Sequence, residues 1–310
     1  MQNAVRVENL KKYYGEVKAV DGVSFTVTEG SIFGMLGPNG AGKTTTIETI
    51  IGLLDSTSGI ATVLGMDTQR EIAEIKKRIG VQLQDPSLFP RLTAKETLDL
   101  FASFYSNPLT VREAAAQVGL EDTLSKQINS LSGGQRHRLA VSLALISNGE
   151  IVFLDEPTTG LDPNARRDLW ETINQLQSKS CTVFLTTHYM DEAETLCDDL
   201  VIIDHGKIIA RGSPQELINS NFPHKAIEFT DPGLNEEERE ALGKVNAAGG
   251  INFEEKEEKI ILYNESVTST ITSLMEFTSR RGKKMQDLNV RSATLDDVFL
   301  KLTGRGIENE

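Results

Sequence analysis

Ser31-Ile32-Phe33-Gly34-Met35-Leu36-Gly37-Pro38-Asn39-Gly40-Ala41-Gly42-Lys43-Thr44 is the stretch that decides the fold of this chain. It starts as a short apolar strand, turns through a glycine-rich loop, and enters a helical pattern from Thr44 to Leu54. Strand, loop and helix in that order are the context a phosphate-binding loop requires. Gly37, Gly40 and Gly42 let the backbone fold so that its amides face phosphate oxygens, with Pro38, Asn39 and Ala41 completing the loop. The helix adds its positive N-terminal end. Lys43 is expected to reach the β- and γ-phosphates, the Thr44 hydroxyl to ligate Mg²⁺, and Thr45 to contact the α-phosphate.

Outward from this loop, the chain reads as α/β. Val5 to Val7 and Ala19 to Val27 alternate as strands around a turn at Tyr13-Tyr14-Gly15. Ile151–Leu154, Thr182–Leu185 and Leu200–Ile203 are compact apolar runs separated by helical patterns, as in buried parallel strands. Thr93–Phe104 and Thr110–Val118 read as helices of an inserted subdomain, about residues 85–145. The expected fold is a P-loop domain over 1–220, with a mixed sheet, an antiparallel β subdomain and that helical insertion. Beyond Gly212-Ser213-Pro214 and a short helix over Pro214–Asn219 the character changes. A strand at His224–Thr230, helix Glu236–Ala247, strands Ile251–Glu255 and Lys259–Tyr263, helix Val267–Arg281 and strand Gln286–Arg291 follow. That β-α-β-β-α-β order predicts a small α+β ferredoxin-like accessory or regulatory domain over 221–310. A last helix starts at Thr294, a capping residue, with Asp297 in its first turn.

The bulk properties narrow the class. At 310 residues, 39% hydrophobic and 25% charged, the chain can bury a sizeable core. A net charge of −13 argues against nucleic acid as a partner, since such binding relies on Lys and Arg neutralising phosphates. Cys181 and Cys197 alone make no disulfide scaffold or metal cluster and are expected as buried thiols in a reducing compartment. No apolar run reaches membrane-spanning length, and Met1 to Tyr14 lacks the core of a signal peptide, so a membrane role is expected to come through a partner.

Further residues carry chemistry. Ile151-Val152-Phe153-Leu154-Asp155-Glu156-Pro157 is an apolar strand ending in two carboxylates, delivered to the strand end where ligands sit in α/β sheets. Asp155 is the expected Mg²⁺-side acid and Glu156 the base that polarises the attacking water. His188, ending the strand Val183 to Thr187, can hydrogen-bond a γ-phosphate. Gln82 and Gln84 both follow the strand-like Ile79-Gly80-Val81, and either suits contact with Mg²⁺ and water. Tyr13 and Tyr14 are equally suited to stack on a base. Ser132-Gly133-Gly134-Gln135 is a second glycine turn before a helix over Arg136–Ser147, able to bind a γ-phosphate through hydroxyl, bare amides and helix terminus. It also reads as a simple helix cap. One chain has no use for two such turns on one phosphate, so the phosphate is expected to come from a second chain.

In order along residues 1–220, these motifs resemble the ATP-binding subunits of ATP-binding-cassette transporters. The resemblance implies ATP as the nucleotide, selects Tyr14 as the adenine platform and Gln84 as the glutamine of the site, and places Asp162 of Gly160-Leu161-Asp162 at a dimer interface. Thr158 to Pro163, Thr187 to Glu194 and the tail Ala293-Thr294-Leu295-Asp296-Asp297-Val298-Phe299-Leu300-Lys301-Leu302-Thr303-Gly304 are similar to the daunorubicin-resistance-type exporters of drugs, sodium or polysaccharide. Such a subunit pairs as a homodimer or with a second ABC ATPase, on the cytoplasmic face of the membrane, against a permease in a separate chain. Its motion is expected to pass through the segment Asp85 to Arg91. The alternative is a non-transport cassette acting on ribosomes or DNA. The first usually carries two cassettes and basic segments, and the second long coiled coils. The C-terminal domain suits dimerisation, permease docking or ligand sensing, since its fold decides none of them.

Overall fold

The computed structural model describes residues 2–84, 88–245, 251–254, 259–264 and 266–304, with backbone alone at 243–245 and 251–254. The chain divides into two compact units, Met1–Pro214 and Gln215–Arg305. The Asp85-Pro86 turn and the predicted element ends at Ala247 and Glu255 lie outside the described residues.

In the first unit, β1 (Asn3–Tyr14) and β2 (Val17–Thr28) form a long antiparallel hairpin. The strand continues through both tyrosines, correcting the expected turn: Tyr13 pairs with Lys18 and Tyr14 with Val17, leaving Gly15-Glu16 to reverse the chain. Strand β3 (Ile32–Leu36) is buried throughout and leads into α1 (Lys43–Ile50). That helix stops short of the predicted Leu54, because Gly52 adopts a left-handed φ of 67°. Next come β4 (Ser58–Val63), β5 (Met66–Asp67), the short α2 (Ile72–Ile75) and β6 (Ile79–Gln82). Strands β2-β1-β4-β5 make a four-stranded antiparallel sheet.

Helices α3 (Ala94–Ala102) and α4 (Val111–Gln117) each open on a reciprocal cap, Thr93 with Glu96 and Thr110 with Glu113. They pack with α5 (Gly133–Leu145). Then follow β7 (Ile151–Asp155), α6 (Pro163–Ser178), β8 (Thr182–Thr187), α7 (Met190–Leu196), β9 (Asp199–Asp204) and β10 (Lys207–Gly212). The central sheet has six strands in the order β10-β9-β3-β8-β7-β6, parallel except for the β9–β10 pair.

An aromatic row holds the centre of this sheet in register. Phe33 pairs with Phe184 across β3 and β8, and Phe184 with Phe153 across β8 and β7. Their ring centroids lie 5.3 and 5.6 Å apart, and Phe25 stacks on Phe33 at 5.2 Å. All three strand phenylalanines are fully buried. A one-residue slip would turn every ring to the opposite face, so the row fixes which residues emerge together at the strand ends. Cys197 is buried and Cys181 half-buried, both as free thiols.

The second unit begins with α8 (Pro214–Asn221) and then runs β11 (Lys225–Thr230), α9 (Glu236–Val245), β12 (Ile251–Glu254), β13 (Lys259–Asn264), α10 (Val267–Ser279), β14 (Gln286–Arg291) and α11 (Leu295–Thr303). Its sheet has the order β12-β13-β11-β14, antiparallel throughout. Ile227, Phe229, Leu242, Ile260, Leu262 and Leu274 form its core. At the start of α11 the Asp297 carboxylate accepts from the Thr294 amide at 2.8 Å and from Arg291 Nη1 at 2.6 Å.

Candidate nucleotide site

The carboxyl ends of β3, β6, β7 and β8 meet at one edge of the central sheet. Leu36 is paired with Thr187 and Asp155 with Thr186, which sets the glycine loop, Glu156 and His188 side by side. At two of its glycines the loop has no room for a side chain. A Cβ on Gly37 would lie 2.3 Å from the Ile203 carbonyl, and one on Gly42 2.3 Å from that of Ala19, with Gly42 also at φ 103°. Gly42 is the N-cap of α1 and has no side chain to satisfy the first-turn amides, and no acid stands in that turn. A helix start left without side-chain cap or acid suits an anion.

Lys43 lies buried at the head of α1. Its Nζ donates to the Gly37 and Pro38 carbonyls at 2.7 and 2.9 Å and stands 3.1 Å from Glu156 Oε1. Burial pulls the ammonium below the usual lysine range, opposed by the Glu156 charge. Glu156 Oε2 accepts from His188 Nδ1 at 3.1 Å, Thr159 Oγ1 at 3.2 Å and Gln84 Nε2 at 3.3 Å. Burial alone would favour protonation of Glu156, but the His188 hydrogen bond and the Lys43 charge outweigh it and bring the pKa from 4.5 to about 2. Its backbone is strained, with φ 50° in a non-glycine residue. Thr186 holds it there, accepting from the Glu156 amide through its carbonyl at 3.2 Å and its hydroxyl at 3.0 Å.

Asp155 is fully buried, and burial with the neighbouring Glu156 raises its pKa. The Thr186 hydroxyl donates to Oδ1 at 2.5 Å. The Thr44 hydroxyl is near enough to help hold the charge, yet Oδ2 is buried and accepts no hydrogen bond among the described residues. An unpartnered carboxylate oxygen beside a hydroxyl fits a hard divalent cation that takes its other ligands from water and phosphate. The residues present fit Mg²⁺ on that ground.

The remaining residues stand apart from this cluster. Tyr14 is half-exposed at the end of β1 with Lys12 Nζ 5.0 Å over its ring, whereas Tyr13 donates its hydroxyl to Asp21 at 2.5 Å. Gln82 is buried, bonded to the Leu83 and Asp155 carbonyls at 2.8 and 3.2 Å. Helix α5 begins at Gly133 rather than at the predicted Arg136, because Ser132 and Gln135 cap it reciprocally at 3.1 and 3.2 Å. Gly133 and Gly134 are thus helical, and a Cβ on Gly133 would meet nothing within 4 Å. A Cβ on Gly134 would lie 3.8 Å from Leu161 Cδ2, in the loop where Asp162 caps α6 by accepting from the Asn164 and Ala165 amides at 3.0 Å. Thr45 lies half-buried in the first turn of α1.

Sequence reasoning missed Thr159 and Thr186 as partners of the acids, and also His137, whose Nε2 donates to the Pro157 carbonyl. Their only signal was position: Thr186 near the end of a strand beside β7, Thr159 just after the acid pair, and His137 one turn into the helix that follows the second glycine turn.

Glycine loop, buried acid pair and histidine on one parallel sheet edge define a nucleotide-hydrolysing domain, and comparison with known proteins states which. Residues 20–159 match the family model described as ABC transporter. The chain is 37% identical to linearmycin resistance ATP-binding protein LnrL of Bacillus subtilis, covering 98% of this chain and 100% of that protein. It is 36% identical to daunorubicin resistance ATP-binding protein DrrA2 of Streptomyces coeruleorubidus over 99% and 97% of the two chains. With Nod factor export ATP-binding protein I of Ralstonia nicotianae the identity is 37% over 96% and 93%. Among solved structures, the ATP-binding subunit of an ABC transporter superposes with TM-score 0.64 at 28% identity, over 70% of this chain and 92% of that one. A dimeric post-hydrolysis cassette bound to ADP and Pi gives 0.63 at 26% identity, over 67% and 98%. The chain belongs to the ATP-binding proteins of the ABC transporter family, and it is an ABC ATPase.

Proposed function

We propose that this chain is the ATPase subunit of an exporter. Two such chains, or this one and a second ABC ATPase, close on two ATP–Mg²⁺ at the cytoplasmic face of a membrane and drive a permease encoded separately. Drug-like or other small amphipathic compounds are the cargo class, in keeping with the resistance and export names of the relatives. Among the described residues no helix is long and apolar enough to cross a membrane, which accords with a separate permease. The observation that carries the two-chain clamp is Gly133, a helical glycine whose Cβ position faces open space. Among the described residues nothing crowds that position, which leaves the α5 N-terminus open to a phosphate brought by another chain.

Within one site, Lys43 and the loop amides bind the phosphates, Tyr14 stacks on adenine, and Gln84 stands beside the acid. Ser132, Gly133, Gly134 and Gln135 receive the γ-phosphate of the second chain's nucleotide, with Asp162 at the interface. Thr44 and Asp155 would hold Mg²⁺, which would supply positive charge beside the phosphates. Glu156 activates water. A γ-phosphate that engages Lys43 and His188 removes the two partners that keep Glu156 weakly basic, and burial then raises its affinity for the water proton. The C-terminal domain expected over 221–310 serves as an accessory module.

Isolation of the tagged chain from detergent-solubilised native membranes tests the transport reading. A stoichiometric membrane protein with many spans is the expected companion. Ribosomes, DNA or no companion would leave the ATPase standing and remove transport.

A further inference from the structure

Helix α6 starts at the Asp162 cap, and α7 follows the His188 loop; one side chain joins these two segments. Arg166 lies one turn into α6, its amide bonded to the Asp162 carbonyl at 3.0 Å. Its Nη2 reaches Asp191 Oδ2 on α7 at 2.8 Å. The guanidinium carbon lies 5.3 Å from the Trp170 ring and 5.3 Å from the Tyr189 ring. The Tyr189 ring packs in turn on the His188 imidazole, with centroids 4.1 Å apart.

A planar cation between two rings and a carboxylate is restrained in position and tilt, because each contact is directional. The Arg166 side chain is 26% exposed and that of Asp191 54%, so the ion pair is screened by solvent and the ring contacts carry more of the restraint. Trp170 Nε1 also donates to the buried Glu192 Oε1 at 3.1 Å, a second link between α6 and α7. The His188 ring is thus in contact with Tyr189, Tyr189 with Arg166, and Arg166 with the start of α6, where Asp162 is the cap.

We propose that Arg166 is a positioning residue that carries a change at the phosphate-sensing His188 to the Asp162 loop of the same chain. The proposal rests on the roles given above to His188 and Asp162. Its physical warrant is a continuous set of stiff contacts, and its proof is a coupling measurement.

Hydrogen exchange of the full chain, read by mass spectrometry with and without ATP–Mg²⁺, provides that measurement in a Glu156→Gln background that retains the nucleotide. Segments 37–45, 158–165 and 186–190 are expected to exchange about tenfold more slowly with ATP. Adding Arg166→Ala keeps the slowing at 37–45 and 186–190 and abolishes it at 158–165. Arg166→Lys, which preserves the charge opposite Asp191 without the flat face, loses about half or more of it and serves if the alanine variant does not fold. Undiminished slowing at 158–165 in the folded variant overturns the proposal. Loss at 37–45 in the Arg166 variants alone marks a structural role and overturns it as well. No slowing at 37–45 even with Arg166 in place sinks the nucleotide reading, and this proposal with it.

Discussion

Lys43 Nζ lies 3.1 Å from Glu156 Oε1, and each side chain is only 4% exposed. The lysine and the acid to which the proposed function gives phosphate binding and water activation are therefore ion-paired. On that reading a γ-phosphate would compete with Glu156 for this ammonium and tie substrate binding to release of the base.

Glu156→Gln keeps the hydrogen-bonding shape and loses the base. ATP affinity should stay within about threefold of wild type, while kcat falls by about 10²–10⁴-fold. Nucleotide binding and single-turnover hydrolysis measured on one preparation check it; undiminished turnover removes the base assignment.

Lys43→Ala removes the charged donor to phosphate and leaves Glu156 without its buried cation. ATP affinity should drop by about 10- to 100-fold. Wild-type affinity in a direct binding titration would refute the phosphate role of Lys43.

The depressed Glu156 pKa sets a pH window. The group falls from 4.5 to about 2, so its contribution to stability is present above pH 4.5 and lost as pH falls toward 2. That contribution is on the order of 3 kcal/mol. Urea midpoints without nucleotide should show wild type and Glu156→Gln separated at pH 6 and converging below about pH 3. A constant separation would contradict the ion-paired state.

Gly133→Ala separates stability from function. Alanine finds open space there and stabilises a helix by up to about 1 kcal/mol over glycine. Thermal melting should be unchanged or slightly raised, while steady-state ATPase falls at least about tenfold if a second chain's phosphate docks on this amide. Full activity would mean that Ser132 and Gln135 serve only to cap α5.

Phe184→Ala removes the middle ring of the row that joins β3, β8 and β7. A loss of about 3–5 kcal/mol in chemical unfolding is expected, and Phe184→Leu should recover most of it. Equal losses in both would mean that ring stacking, rather than volume, holds the register.

Much of this protein was legible from residue order. The glycine loop, the acid pair and His188 each sit next to an apolar run, and an apolar run that ends at a ligand-binding loop is a local pattern. The β-α-β-β-α-β order of the second unit was legible for the same reason, through alternation and turn residues close together in the chain. Strand–turn boundaries were less so. The tyrosines of β1 stay in the ladder because β2 lies opposite them, and α5 starts early because Ser132 and Gln135 satisfy each other.

Local order thus made the glycine loop, the position of the acid pair and the α/β class legible, because backbone freedom, side-chain charge and hydrophobic periodicity belong to short segments. Folding decided between candidates that such segments leave equal. Gln84 reaches Glu156 while Gln82 is buried beside Asp155, and Tyr13 is tied to Asp21 while Tyr14 keeps an open ring. Which face a strand residue occupies depends on register with a partner strand distant in the chain, and so does the approach of Lys43, Glu156 and His188. Their shared electrostatics, which bring Glu156 to a pKa of about 2, exist only where β3, β7 and β8 end together.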